Sequence, residues 1–121
     1  MSYKYEGASS SGAFAWFFQR VTGVILFILV LVHFYIAHKT WDAGHNWQTI
    51  VERLSNPYMK TFYLAFVLIG LYHGLNGLWA VIRDYHISPG WRKTIFAVIL
   101  TIGIFIGVLG FITMLTLPKP Q

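Results

Sequence analysis

The chain has 121 residues, of which 56% are hydrophobic and only 11% charged, with a formal net charge of +5 and no cysteine. A soluble domain this small carries many more charges, and without cysteine the chain alone can build neither a disulfide nor a thiolate-held zinc or iron–sulfur site. The nine Lys and Arg are spread over termini and connections without a run, which fits a membrane surface and speaks against nucleic acid.

Residues 1–13 form a polar arm, and the Ser9 to Gly12 stretch predicts flexibility. An all-α anchor domain follows over residues 14–121. Three windows within it, 15–37, 61–82 and 95–117, are long enough to cross a hydrocarbon core of about 30 Å at about 1.5 Å per residue. The first is too long, and lacks the small-residue cleavage pattern, for a signal peptide. Trp16, Phe17, Trp41, Trp47 and Trp91 fall near the window ends, where amphipathic rings favour the headgroup level.

The connection from His38 to Lys60 holds Trp47, Ile50, Val51 and Leu54 at helical spacing, which predicts a short interfacial helix before Pro57. The second connection, Arg83 to Thr94, is compact. With the N-terminus and this connection on one side, that side carries Lys4, Arg20, Arg83, Arg92 and Lys93; the other carries Lys39, Arg53, Lys60 and Lys119. The excess points to a cytoplasmic N-terminus under the positive-inside rule.

His33 and His73 each sit inside an apolar window, where hydrocarbon offers an imidazole no hydrogen-bond partner. Imidazole is the commonest metal ligand and a standard axial ligand of haem iron. On an ideal helix Gly77 lies about 40° from His73 and Asp84 about 20°. One face of the second window therefore presents a candidate ligand, a gap in which a flat porphyrin could approach the backbone, and a polar terminus. Gly70 extends the strip. The alternative is that Gly70, Gly74 and Gly77 only let helices approach while His73 makes an interhelical hydrogen bond. In the third window Gly103, Gly107 and Gly110 have no polar neighbour and read as packing.

In the first window Arg20 stands at the water-facing end with His33 about 20 Å deeper, and Thr22 and Ala37 lie near the His33 face. Arg20 either snorkels to lipid phosphate or pairs with a haem propionate or a quinone carbonyl. His38, His45 and His86 fall in connections or at helix ends and read as surface residues, with His38 the best candidate for another role.

The pattern His73, three residues, Gly77, six residues, Asp84-Tyr85 resembles the smaller of the two membrane-anchor proteins of succinate:quinone oxidoreductases. So does the opening Trp16-Phe17-Phe18-Gln19-Arg20-Val21-Thr22-Gly23, and the similarity extends from about Phe14 to Leu117. The resemblance implies an anchor subunit of succinate dehydrogenase in the cytoplasmic membrane of a bacterium or archaeon. There it would join a second anchor subunit in a haem-binding helix bundle and hold an iron–sulfur and a flavoprotein subunit on the bilayer.

By the same analogy His73 is an axial ligand of haem b, Tyr85 hydrogen-bonds a quinone carbonyl, and Asp84 holds the local network. No succinate-oxidising site is expected in this chain. His33 is the departure from single-haem members: the Val32-His33-Phe34 element resembles relatives whose two anchor subunits share two haems. The depth estimates, about 16 Å from Asp84 to His73 and about 20 Å from Arg20 to His33, assign His33 to the haem farther from the iron–sulfur subunit. Two alternatives stay open: a haem-free structural anchor, and a small cytochrome b subunit of another quinone-linked complex.

Overall fold

The computed structural model describes residues 10–39 and 45–117. Among these residues there are four helices and no strand: α1 (Ser10–His38), α2 (Trp47–Ser55), α3 (Pro57–Arg83) and α4 (Pro89–Thr116). Lys4, Trp41, Lys119 and the polar arm through Ser9 lie outside them.

Each long helix begins ahead of its apolar window: α1 at Ser10 rather than Ala15, which takes in the end of the polar arm, α3 at Pro57 rather than Thr61, and α4 at Pro89 rather than Ile95. Hydropathy sees only the lipid-facing turns, whereas capping chemistry sets the boundary. Pro57 and Pro89 both occupy the first turn, where a missing N–H costs nothing and φ is already helical. Asn56 caps α3 by accepting from the N–H groups of Tyr58 at 2.9 Å and Met59 at 3.4 Å. The short helix expected before Pro57 is present as α2, capped by Asn46, which accepts from Thr49 N–H at 3.3 Å. Its Val51 and Leu54 are buried while Trp47 is exposed, so one amphipathic edge lies against the bundle.

α3 is the middle helix, packed against α1, α2 and α4. The α3–α4 seam is made by glycine. A Cβ built on Gly103 would lie 2.5 Å from Leu75 Cδ1, one on Gly107 3.2 Å from Leu71 Cδ1, and one on Gly110 3.4 Å from Val67 Cγ1. Leu75, Leu71 and Val67 recur every fourth residue and drop into the Gly103, Gly107 and Gly110 recesses of the antiparallel neighbour. The packing reading of those glycines therefore holds.

The three long helices are each apolar enough to cross a membrane and hold almost no fully buried residue. Among the described residues only Thr22, Val51, Leu54 and Gly103 are buried. Large side chains such as Phe27, Phe34, Leu68 and Phe105 stand more than half exposed. A bundle that hides so little of its apolar surface is built for lipid and for other helices.

Candidate functional site

Four polar residues inside the bilayer-length helices gather in one place. Gln19 and Thr22 of α1 face His73 and Asn76 of α3 across the helix interface. His73 Nδ1 lies 3.0 Å from Thr22 Oγ1, and its Nε2 lies 3.4 Å from Gln19 Nε2. The Gln19 amide also donates to the His73 carbonyl at 3.1 Å, while its own oxygen accepts from Asn76 Nδ2 at 2.7 Å. Asn76 Nδ2 further reaches the Ala15 carbonyl at 3.3 Å.

Two glycines make room for this cluster. A Cβ on Gly23 would stand 3.2 Å from His73 Cε1, and one on Gly77 would stand 2.8 Å from Gln19 Nε2. The gap expected beside Gly77 is thus present, but the Gln19 side chain fills it. Gly70 faces Leu26 at 3.9 Å, while Gly74 has nothing within 4 Å.

Beside the cluster runs a groove of about 290 Å³, whose walls include Ala15, Ala80, Gln19 and Asn76 and whose charged groups are Arg20 and Arg83. Arg20 does not stand at the end of its helix: α1 begins ten residues earlier, about 15 Å away. Its guanidinium lies 4.0 Å from the Trp16 ring centroid, one turn toward the polar end. This exposed cation–π contact is worth about 0.5–1 kcal/mol.

His33 occupies the other end of the α1–α3 interface. Its ring meets Tyr63 edge-on at 5.6 Å and Phe66 at 5.5 Å. It borders a cleft of about 300 Å³ shared with Arg53, Leu54 and Met114. Its Nδ1 is buried with no hydrogen-bond partner among the described residues. Since His73 and Thr22 stand at one level, His33 lies eleven residues, or about 16 Å, farther along α1. The separation of the two histidines is therefore larger than the sequence estimates implied, because Arg20 and Asp84 do not share a level.

Asp84 and Tyr85 close α3 at the same end as the arginine groove. Asp84 is the C-cap, its N–H donating to the Val81 carbonyl at 3.1 Å, and both side chains are exposed. The Tyr85 carbonyl accepts from Arg92 Nη2 at 3.4 Å. Arg92, with Trp79, Lys93 and Phe96, lines a cleft of about 550 Å³ at the α3–α4 turn, and Arg92 Nε is buried without a partner among the described residues. Trp79 and Phe96 meet edge-on at 4.9 Å within it. Sequence reading passed over this cleft, as it did Gln19 and Asn76. The signals were a tryptophan one turn before Arg83 and amides at i and i+3 of polar residues already noticed.

The remaining histidines are peripheral. His38 stacks on Phe34 at 4.1 Å and donates from Nδ1 to the Phe34 carbonyl at 2.9 Å; His45 and His86 are exposed. No group of three or more His, Cys, Asp or Glu side chains placed to hold a metal ion occurs among the described residues.

Comparison with known proteins identifies the family. The family described as succinate dehydrogenase/fumarate reductase transmembrane subunit matches residues 4–113. A succinate dehydrogenase hydrophobic membrane anchor subunit of Thermoplasma acidophilum is 34% identical over 106 residues, 85% of each chain. One from Archaeoglobus fulgidus is 35% identical over 79 residues, 65% of this chain and 66% of that one. The succinate dehydrogenase cytochrome b558 subunit of Bacillus subtilis is 33% identical over 95 residues, 75% of this chain but 47% of its own. A family match over most of the chain, on three bilayer-length helices, leads to one conclusion: the chain belongs to the succinate dehydrogenase/fumarate reductase transmembrane subunit family, as a membrane-anchor subunit.

Proposed function

We propose that this chain supplies one axial ligand of haem b, His73, and part of a quinone site at the Asp84-Tyr85 end, in a complex that passes electrons from succinate to quinone. The observation that carries this reading is the state of His73. It is an imidazole inside a membrane helix whose Nδ1 has a well-made partner in Thr22 and whose Nε2 has only a long contact to Gln19. A similar chain from Bacillus subtilis is named a cytochrome b558 subunit, which supports haem in this kind of chain.

The surrounding residues fit the group. The groove beside Gln19 and Asn76 is walled partly by alanines and carries two guanidiniums, Arg20 and Arg83, suited to propionates. Gln19 would turn away from His73 Nε2 to admit iron. The second ligand of the iron would come from another anchor subunit, since this chain presents a single imidazole at that level. Haem held by His73 and an imidazole of that subunit would supply one-electron transfer.

Each residue has a separate task. Arg20 and Arg83 would neutralise carboxylates at the polar edge. The Tyr85 hydroxyl would donate to a quinone carbonyl, with Asp84 beside it to hold a proton-bearing water. Trp79 and Phe96 offer apolar walls in the neighbouring cleft for the ring or tail. An iron–sulfur protein seated over Asp84 and Tyr85, with a flavoprotein on it, would exclude water there and makes this the cytoplasmic side, with the N-terminus.

His33 is assigned to a second haem, shared in the same way. Its unpartnered Nδ1 supports the assignment: a buried polar nitrogen left unpaired costs about 1–3 kcal/mol.

One observation favours the haem-free anchor as a second reading: His73 can be satisfied within the chain, by Thr22 and Gln19. Replacing His73 with leucine in the assembled complex separates the two. Loss of one haem from the pyridine haemochrome and EPR spectra establishes ligation; an unchanged spectrum leaves His73 a packing residue.

A further inference from the structure

We infer that Thr22 is the positioning residue that fixes the tautomer of His73 and sets its strength as an iron ligand; this rests on the reading that His73 binds haem. Backbone carbonyls fix the directions of the proton donors around the ring. At one end Asn76 Nδ2 faces the Ala15 carbonyl, which can only accept, so the oxygen of Gln19 must be the atom 2.7 Å from Asn76 Nδ2. The Gln19 amide nitrogen is then directed at the His73 carbonyl, 3.1 Å away, and at His73 Nε2, 3.4 Å away. A donor facing Nε2 makes that nitrogen the lone-pair side of the ring.

The other side of the ring gives the same answer independently. Thr22 has one hydroxyl proton, and it is committed to the Phe18 carbonyl at 2.6 Å, the usual bond from threonine to the carbonyl four residues back. Its oxygen is left to accept from His73 Nδ1–H at 3.0 Å. Both neighbours therefore select the Nδ1–H tautomer, with the lone pair on Nε2, the nitrogen a metal would take once the Gln19 amide turns away.

A ligating histidine almost always donates its other N–H to an acceptor, which orients the ring and raises its basicity. Thr22 is placed to be that acceptor. It is also the single buried polar side chain among the described residues. Gly23, next in sequence, clears the space at His73 Cε1 that lets the ring come so close.

Thr22→Val, Thr22→Ala and Thr22→Ser in the purified complex test the inference, with His73→Leu beside them. Without the acceptor the imidazole is a weaker donor to ferric iron. Thr22→Val and Thr22→Ala should raise the midpoint potential of the His73 haem, shift its EPR g values, and hasten its loss to a haem-scavenging apoglobin by about 10- to 100-fold. Thr22→Ser, which keeps the hydroxyl, should match the wild type in all three. If His73→Leu removes the haem signal but Thr22→Val and Thr22→Ala keep the native potential and g values, the inference fails and haem ligation stands. Equal changes in all three Thr22 variants would make Thr22 a packing residue and also overturn it. A haem signal that survives His73→Leu overturns the ligation reading itself.

Discussion

The hydroxyl of Thr22 and the imidazole of His73 meet at 3.0 Å across the α1–α3 interface, although 51 residues separate them in the chain. That contact fixes the axial register of the two helices. It sets Arg20 only two residues from the level of His73, while Asp84 stands about 16 Å beyond it. Consequently the arginine groove and the tyrosine end are successive steps along one polar edge. Along that edge His73 comes first, then the groove that Arg20 of α1 and Arg83 of α3 line, then Asp84 and Tyr85.

The seam between α3 and α4 gives the most direct stability test. Gly103 is buried, and a methyl group there would press on Leu75 Cδ1 at 2.5 Å. Gly103→Ala should therefore cost about 1–3 kcal/mol through overpacking, read as a lower thermal midpoint of the assembled complex. Gly90, which has nothing within 4 Å in the first turn of α4, is the control. Gly90→Ala should be neutral or slightly stabilising, since alanine is the better helix former.

Much of this fold was legible in the sequence because membrane helices declare themselves by length and hydropathy. The three spans follow from the apolar windows 15–37, 61–82 and 95–117, and the amphipathic α2 from the spacing of Trp47, Ile50, Val51 and Leu54. Helix starts were less legible: residues 10–14, 57–60 and 89–94 are helical turns rich in polar or capping residues that hydropathy does not register. The site divides along the same line. Facing residues on one helix, such as Thr22 and His33 or His73 and Gly77, can be computed from 100° per residue. What faces them from another helix cannot, so Gln19 in the Gly77 gap and Thr22 on His73 needed the register between α1 and α3.

Arg20 has three candidate partners, a lipid phosphate, a haem propionate or a quinone carbonyl, and the haem potential separates the propionate from the lipid. A guanidinium beside the haem edge stabilises the reduced, less positive centre. Arg20→Gln should then lower the midpoint potential of the His73 haem and leave its g values nearly unchanged, because the ligand is untouched. Redox titration of the purified complex checks this. An arginine held only by Trp16 and lipid would leave the potential where it was.

Tyr85 is exposed, and its hydroxyl makes no hydrogen bond among the described residues, while the Arg92 contact is to its carbonyl, so replacing the side chain should not disturb the bundle. Tyr85→Phe removes one donor and nothing else. Quinone reduction should fall by at least about tenfold, the scale for losing a polarising hydrogen bond of about 1.4 kcal/mol or more in a transition state. Succinate oxidation with a water-soluble artificial acceptor should persist at the wild-type rate. Parallel loss of both activities would instead indicate that Tyr85 holds the iron–sulfur subunit in place.

His33 decides how many haems the complex carries. Its Nδ1 is buried and unpaired among the described residues, its ring is fenced by Tyr63 and Phe66, and it lies about 16 Å along α1 from the level of His73. One haem could not use both histidines as ligands at that separation, so ligation by both requires two. A single interhelical hydrogen bond from a partner subunit would also satisfy His33, but such bonds contribute only about 0.6–2 kcal/mol in membranes, a small return for an imidazole at that depth. Haem quantified against flavin should accordingly approach two to one, and His33→Leu should reduce it toward one to one while the haem lost in His73→Leu stays. A native ratio near one to one would return His33 to hydrogen bonding with a neighbouring helix, leaving the assignment of His73 intact.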